Sequence, residues 1–299
     1  MQHDVEAEQR GERAGDAASE HHGLGARDHG AGGGGGSGST GGDGSGNNGG
    51  NGGGGSSYGG SSYAAGGGGE VGDEAGVAAL REIIAEKAAA LYGTAYDPEH
   101  EVTVVPGATY GIFTAVSAFV RPGDEVIVFE PAYDSYVPAI EVNGGKPVFV
   151  RLQYPEYSID WQAVKSAITP KTRMLIINTP NNPTASVFSA EDMRALEGIL
   201  RGTDIVVVSD EVYEHLIYDG GQHQSVARFA GLAERSFIVS SFGKTYSVTG
   251  WKMGYVLAPK ELMAEFRKVH QFNVFVANGP LQHVLAEHMK NRDAYLSLN

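Results

Sequence analysis

The chain has 299 residues, a net charge of −14 and no cysteine. The lack of cysteine excludes disulfides, thiolate metal sites and cysteine nucleophiles. The first 74 residues hold 11 acids and 3 bases, so the remainder is only mildly acidic, which argues against nucleic acid or an anionic membrane as partner. No apolar run reaches the length of a membrane span, and residues 1–8 resemble no signal or transit peptide. We therefore expect a soluble protein of a reducing, cytoplasmic compartment.

Residues 1–75 differ in composition from the rest of the chain. Between Gly23 and Gly69 about half of the positions are glycine, mixed with Ser, Asn and His. Such a segment has little apolar surface to offset the entropy of ordering. The composition predicts a disordered low-complexity tail over 1–75 and a globular part over 76–299, which is long enough for a sizeable core.

The globular part alternates helical stretches with apolar strands. Apolar spacing predicts helices over 77–92, 108–120, 135–142, 160–168, 189–200 and 260–270. Continuous apolar runs predict strands over 101–105, 125–129, 147–152, 173–178, 204–209, 237–240 and 253–258. Fully apolar strands separated by helices favour an α/β fold with a mostly parallel sheet covered by helices on both faces.

Polar clusters follow five of the predicted strands. They span residues 106–109, 130–133, 178–183, 209–213 and 241–244. In sheets of this kind, ligands bind beyond the carboxyl ends of the strands. The five clusters are therefore expected to converge on one site.

The last of these clusters contains Lys244, and a second lysine, Lys252, follows it eight residues later. A lysine at the mouth of a sheet can be desolvated, which frees its amine to attack a carbonyl. A second lysine nearby would hold a phosphate. Pyridoxal phosphate, an aldehyde that carries a phosphate, needs both groups. By itself, the cluster around Lys244 is equally consistent with an exposed lysine in a turn.

Other clusters carry groups that suit the same cofactor. Gly107, Ala108 and Thr109 open a helix directly after a strand, where backbone amides favour a phosphate, although Thr109 could simply cap the helix. Asp210 follows a buried strand and could keep a pyridine nitrogen protonated, or only cap the next turn. Tyr213 could reach the oxygen of the same ring.

Two further residues fit this hypothesis, and rival functions lack their motifs. Asn182 could hold the ring oxygen and Tyr133 could stack on the ring, although a plain turn and ordinary packing would also explain them. A phosphate-loop NTPase needs a glycine five residues before Gly243, where Ile238 stands. The histidines show no HExxH spacing, so no metal site is predicted, and G-x-S-x-G is absent.

Taken together, the motifs resemble those of class I/II aminotransferases of fold type I. The matching segments are PGAT at 106–109, NTPNNPT at 178–184, SDEVY at 209–213 and SFGKT at 241–245. YDSY at 133–136 and TGWKMG at 249–254 resemble the kynurenine, glutamine and methionine aminotransferase branch. The resemblance extends from about Gly76 to the last residue.

The resemblance implies a role for each candidate residue. Lys244 would form the aldimine with pyridoxal phosphate and shuttle the proton at Cα, while Asp210 would pair with the pyridinium nitrogen. The others would hold the ring oxygen (Asn182, Tyr213), stack on the ring (Tyr133) and bind the phosphate (Gly107, Ala108, Thr109, Ser241, Lys252). The implied reaction is amino transfer from kynurenine, methionine or glutamine to a 2-oxo acid by a homodimer, with cysteine-conjugate β-elimination as a side activity.

Two departures from the family pattern leave other hypotheses open. Val71 stands where the family has a tyrosine that reaches the neighbouring subunit's phosphate. The family's carboxylate-binding arginine lies in a C-terminal small domain, which we expect to be incomplete at Asn299. The chain would then be a truncated working transaminase, a cofactor-binding remnant without turnover, or an interaction protein that acts through its Gly-rich tail.

Overall fold

The computed structural model describes residues 74–298. Its strands are β1 (Val102–Val105), β2 (Glu125–Glu130), β3 (Lys146–Arg151), β4 (Thr172–Asn178), β5 (Val206–Asp210), β6 (Ser236–Ser241) and β7 (Gly254–Leu257). Its helices are α1 (Ala78–Tyr92), α2 (Ala108–Phe119), α3 (Tyr136–Val142), α4 (Trp161–Ala167), α5 (Ala190–Leu200), α6 (Ala230–Ala233), α7 (Phe242–Thr245), α8 (Lys260–Asn273), α9 (Gly279–Met289) and α10 (Asp293–Leu296). The tail predicted over 1–75, and any function that depends on it, lies almost entirely outside the described residues.

The described strands form one mostly parallel sheet. Their order is β1-β7-β6-β5-β4-β2-β3. Neighbours from β6 to β3 pair in parallel, whereas β7 runs antiparallel to both β6 and β1. The mostly parallel sheet expected from the sequence is confirmed.

Helices cover both faces of this sheet. Leu175 and Ile177 of β4 join the buried cluster that includes α1, α4 and α5. The alternate residues, Met174 and Ile176, join the cluster that includes α2, α3 and α8. Because successive side chains of a strand point to opposite faces, covering both faces requires the continuous apolar runs seen in the sequence.

The direction of β7 determines what reaches the functional edge of the sheet. Gly254, its first residue, pairs with the last residues of β1 and β6, Val105 and Ser241. The segment before β7 therefore arrives at the same edge as the segments that follow β1 and β6. This places Lys252 beside the clusters at the carboxyl ends of the parallel strands.

The structure differs from the sequence-based expectation mainly in its short or late helices. We did not predict α6, α7, α9 or α10. The sequence Gly279-Pro280 is typical of a turn, so it did not predict the start of α9. In the structure, the Asn278 side chain caps this helix by accepting the N–H of Leu281 at 3.1 Å. Strand β5 also extends one residue further than expected and includes Asp210. Within residues 74–298, no helix combines the length and apolarity needed to cross a bilayer.

Candidate active site

A cavity of about 660 Å³ opens at the carboxyl edge of the sheet. The structure brings all ten residues singled out in the sequence to its wall: Gly107, Ala108, Thr109, Tyr133, Asn182, Asp210, Tyr213, Ser241, Lys244 and Lys252. They come from segments after β1, β2, β4, β5 and β6 and from the segment before β7. The expected convergence of the polar clusters is thus present, and their chemical roles remain predictions.

One end of the cavity is built from the start of α2. Gly107 adopts φ 93° and ψ 159°, a conformation that favours glycine, and this turns the chain from β1 into the helix. The Thr109 hydroxyl lies 3.2 Å from the hydroxyl of Tyr133. Beneath this turn, a Cβ on Gly254 would stand 3.1 Å from the Ala108 nitrogen and 2.7 Å from the Ser240 oxygen. A glycine at 254 therefore allows β7 to pass directly under the start of α2.

Ser241 and Lys252 lie on the other side of the same end. The Ser241 hydroxyl accepts the N–H of Gly243 at 3.0 Å and caps α7. Lys252 ends a short 3-10 turn, Thr249–Trp251, in a left-handed conformation, and its side chain is exposed. Hydroxyls, helix-start amides and an ammonium group thus face one space, a donor set that suits a dianionic phosphate.

Asp210, the last residue of β5, also lines the cavity. It is 5% exposed. Its carboxylate accepts the hydroxyl of Tyr136 at 2.6 Å and the N–H of Val212 at 3.2 Å. Burial raises the pKa of Asp210 to about 6, although both hydrogen bonds oppose the shift. A buried carboxylate whose donors are both neutral favours a cationic partner in the cavity.

Tyr136 was missed in the sequence analysis as a contributor to the site. It is buried at the start of α3, and its ring packs edge-on against that of Tyr133, with 5.6 Å between centres. Tyr136 belongs to the YDSY motif at 133–136, but only Tyr133 was given a role from the sequence. Aromatic side chains of α2, among them Tyr110 and Phe113, also line the cavity and were not predicted from the sequence.

The loop after β4 is tied to the end of β5. The Asn178 side chain accepts the N–H of Asn182 at 2.6 Å and donates to the Asp210 carbonyl at 3.0 Å. Asn182 is consequently held beside Asp210. Asn178 is buried and acts behind the cavity wall.

Lys244 stands on the short helix α7, with its Nζ 5.9 Å from the centre of the Tyr213 ring. The sequence left open a desolvated lysine or an exposed lysine in a turn, and in the structure the Lys244 residue is exposed. Because α7 has only four residues and directly follows β6, its lysine extends into the open cavity instead of the core. Its amine is therefore accessible to a carbonyl compound that enters from solvent.

The fold and this constellation define the class of protein. The chain belongs to the class I and II aminotransferases, whose family matches residues 62–297. Among curated proteins it is similar to methionine aminotransferase of Escherichia coli, with 47% identity over 75% of this chain and 58% of that protein. It is 39% identical to human kynurenine–oxoglutarate transaminase 1, over 71% of this chain and 53% of that protein.

Solved structures give the same result. The crystal structure of Escherichia coli YbdL, reported with a methionine aminotransferase function, has a TM-score of 0.75 and 46% identity, covering 76% of this chain and 60% of that chain. N-succinyldiaminopimelate aminotransferase of Mycobacterium tuberculosis has a TM-score of 0.72 and 41% identity, covering 75% and 59%. The chain thus spans somewhat over half the length of these relatives.

Proposed function

We propose that this chain is a pyridoxal-phosphate-dependent aminotransferase that moves an amino group from an amino acid to a 2-oxo acid. The observation that carries the proposal is the cavity itself, which is lined by an accessible amine, a buried carboxylate and the donors of a proposed phosphate cradle (the start of α2, Ser241 and Lys252). Family membership supports the same reaction class.

The residues present fit pyridoxal phosphate. Asp210 would bind the ring nitrogen, because a buried carboxylate with only neutral donors is stabilised by a protonated ring. Asn182 and Tyr213 would bind the ring oxygen, and Tyr133 would cover one face of the ring. The phosphate would lie against the start of α2, with Ser241 and Lys252 completing the cradle.

The chain's own groups then have distinct duties. When bound, the cofactor supplies an electron-withdrawing ring that makes the α-proton of an amino acid acidic. Lys244 would be the general base that accepts this proton and the general acid that returns it, because its amine reaches the open cavity. Asp210 would keep the ring nitrogen protonated. Tyr136 and Val212 hold the Asp210 carboxylate in place throughout the cycle.

For the amino donor we propose methionine, kynurenine or glutamine. The similarity to methionine aminotransferase and to kynurenine–oxoglutarate transaminase supports this choice. The aromatic side chains of Tyr110 and Phe113 on the cavity wall also suit a donor with an apolar or aromatic side chain.

The test combines absorption spectroscopy with site mapping. The full chain is titrated with pyridoxal phosphate, reduced with borohydride and digested for peptide mass analysis. We expect a yellow complex whose reduced label lies on Lys244, and its loss in Lys244→Ala. Lys290→Ala, which removes an exposed lysine of a surface ion pair with Glu287, is the matched control. An unchanged spectrum in Lys244→Ala would sink the proposal.

A second candidate is cofactor binding without amino transfer. Within residues 74–298, no arginine lines the cavity, so no bidentate partner for a substrate carboxylate is in view there. Oxo-acid formation from methionine, kynurenine or glutamine would refute this candidate. Pyruvate release from a cysteine conjugate would instead identify a β-lyase.

We further propose a homodimer, as in the family. The end of α8 and the residues that follow it support the proposal, because Phe272 of α8 is 87% exposed and Val274 and Phe275, directly after the helix, are also exposed. An exposed apolar cluster of this kind suits a protein interface. Sedimentation at several concentrations tests it: a dimer that Phe272→Ser dissociates is expected, and a monomer at all concentrations contradicts it.

A further inference from the structure

Residues 210–214 contribute side chains to two different environments. Asp210 and Tyr213 line the cavity. Glu211 and Glu214 are 1% and 3% exposed and do not line it. Because a buried carboxylate is unfavourable unless it is paired and hydrogen-bonded, the partners of these two glutamates show what holds the loop.

Glu214 connects three elements behind the cavity. Its Oε1 accepts from Lys87 Nζ on α1 at 2.6 Å and from Ser240 Oγ on β6 at 2.6 Å. The hydroxyl of Tyr255 on β7 lies 3.2 Å from the same oxygen and 2.9 Å from Lys87 Nζ. Tyr92 donates to the other oxygen, Oε2.

The Lys87–Glu214 pair is charged although it is buried. Burial alone lowers the pKa of Lys87 and raises that of Glu214. Burial is the largest single influence on each, but the attraction between the pair, together with Tyr255 for Lys87 and with His215 and Ser240 for Glu214, outweighs it, so that the pKa of Lys87 lies above its usual value and that of Glu214 well below. An ion pair in such a low-dielectric setting fixes the geometry of its two partners closely.

Glu211 supplies a second attachment on the same side. Its Oε1 accepts from Ser209 Oγ at 2.7 Å and from the N–H of Val226 at 3.1 Å. Its Oε2 lies 2.8 Å from Nε2 of His223. The loop is thus held at both glutamates. Of the two residues that line the cavity, Asp210 directly precedes Glu211, and Tyr213 lies between Glu211 and Glu214.

We propose that Glu214 and Lys87 are positioning residues that fix the loop of Asp210 and Tyr213 relative to Lys244. Ser240 immediately precedes Ser241 and the helix that carries Lys244, so the Glu214 carboxylate joins the two halves of the cavity wall. Neither proposed residue lines the cavity. The identity of the ligand in the cavity rests on the proposed function. The inference that Glu214 and Lys87 fix the loop does not depend on it.

The first measurement is amide hydrogen exchange on the full chain without added cofactor. Glu214→Gln leaves Lys87 buried without its carboxylate, and we expect peptides over 209–216 to exchange about tenfold faster. The double variant Lys87→Met/Glu214→Gln removes both charges at similar volume, which commonly restores overall stability. Faster loop exchange that persists in the double variant separates positioning from overall stability.

The matched control is Val164→Ala, a core truncation on α4. It lowers overall stability without contacting the network. The 209–216 peptides of this variant should therefore not exchange faster relative to the rest of the protein. If the folded double variant exchanges like the wild type in this segment, the inference is wrong. If Glu214→Gln does not fold, the exchange rate of the 209–216 peptides in the double variant alone tests the inference.

The second measurement is pyridoxal phosphate binding by the same variants. We expect the double variant to raise Kd about tenfold and to shift the pH midpoint of the cofactor's visible band, because Asp210 and Tyr213 no longer stand at fixed distances from the ring. Unchanged binding together with faster exchange overturns the positioning role. Absence of binding by the wild type refutes the proposed function, and the exchange data then decide the inference.

Discussion

The two sides of the 210–214 loop satisfy their polar groups differently. Behind the loop, Glu211 and Glu214 accept hydrogen bonds from side chains and backbone of the chain itself. In front of it, Asp210 has only neutral donors, and Lys244 is exposed to the cavity. The rear side stabilises the fold, whereas the front side keeps its binding capacity for a ligand. Substitutions on the two sides should therefore change stability and binding in opposite ways.

The largest effect is expected on the rear side. Glu211→Ala removes the acceptor of Ser209, Val226 and His223, all inside the protein. Leaving such donors unpaired lowers the free energy of unfolding by about 4 kcal/mol, measured by urea denaturation. Glu287→Ala, at an exposed surface pair, serves as control and should leave the curve unchanged. Equal curves for the two variants would contradict the network's stabilising role.

Asp210→Asn should change the front side in the opposite sense. The pKa of Asp210 is raised to about 6 in the folded chain, so the folded state binds more protons and wild-type stability falls as pH rises from about 4 to 6. Asparagine lacks this titration, and we expect unfolding at pH 7 to require up to about 3 kcal/mol more. Affinity for pyridoxal phosphate should fall about 30-fold.

Thermal unfolding between pH 4 and 7, with cofactor titrations at the same pH values, tests both halves of this prediction. In the wild type, cofactor affinity should rise with pH through the titration of Asp210, because the ionised carboxylate binds the ring nitrogen. If Asp210→Asn were less stable than the wild type at pH 7 and still bound the cofactor normally, the proposed difference between the two sides of the loop would be wrong.

Gly107→Ala tests the cradle. Its φ of 93° with ψ of 159° lies in a region that side chains disfavour, so we expect a loss of about 2 kcal/mol in the free energy of unfolding and weaker phosphate binding. Gly198→Ala is the matched control: it lies within α5, and a Cβ there meets nothing within 4 Å. That control should instead stabilise the protein by about 0.5–1 kcal/mol. If Gly107→Ala and Gly198→Ala changed the free energy of unfolding in the same direction, backbone strain would be ruled out as the cause.

The smallest effect is expected from Tyr136→Phe. The hydrogen bond from Tyr136 lowers the pKa of Asp210, so its removal should raise that pKa by about 0.7 units, equivalent to about 1 kcal/mol. The pH midpoint of cofactor affinity should move upward by the same amount. Tyr96→Phe is the control, because within residues 74–298 the buried Tyr96 hydroxyl has no hydrogen-bond partner. A midpoint that does not move would show that Tyr136 has no influence on Asp210.

The front side was predictable from the sequence and the rear side was not. Continuous apolar runs such as 205–208 predicted the strands, and polar residues at their ends predicted the cavity. Within SDEVYEH, however, nothing in the sequence distinguishes Asp210 and Tyr213 from Glu211 and Glu214, because the alternation depends on the path of the loop.

Lys87 shows the same limit. In the helix it resembles any surface lysine, yet it is 3% exposed because β7 and the loop pack over it. Whether Lys244 is desolvated or exposed was left open by the sequence for the complementary reason. The length of α7 decides how far the lysine extends, and a four-residue helix gives no periodic signal.

The antiparallel strand β7 also has a consequence for how the protein folds. Val102 of β1 pairs with Leu257, about 150 residues further along the chain, and this pairing places Gly107 beside Lys252. Loops of this size close late, because their entropy is lost before any contact is gained. During synthesis, β1 cannot pair with β7 until most of the chain has left the ribosome. The proposed phosphate cradle should thus be among the last parts to form, and firm binding of pyridoxal phosphate would then report a completed sheet.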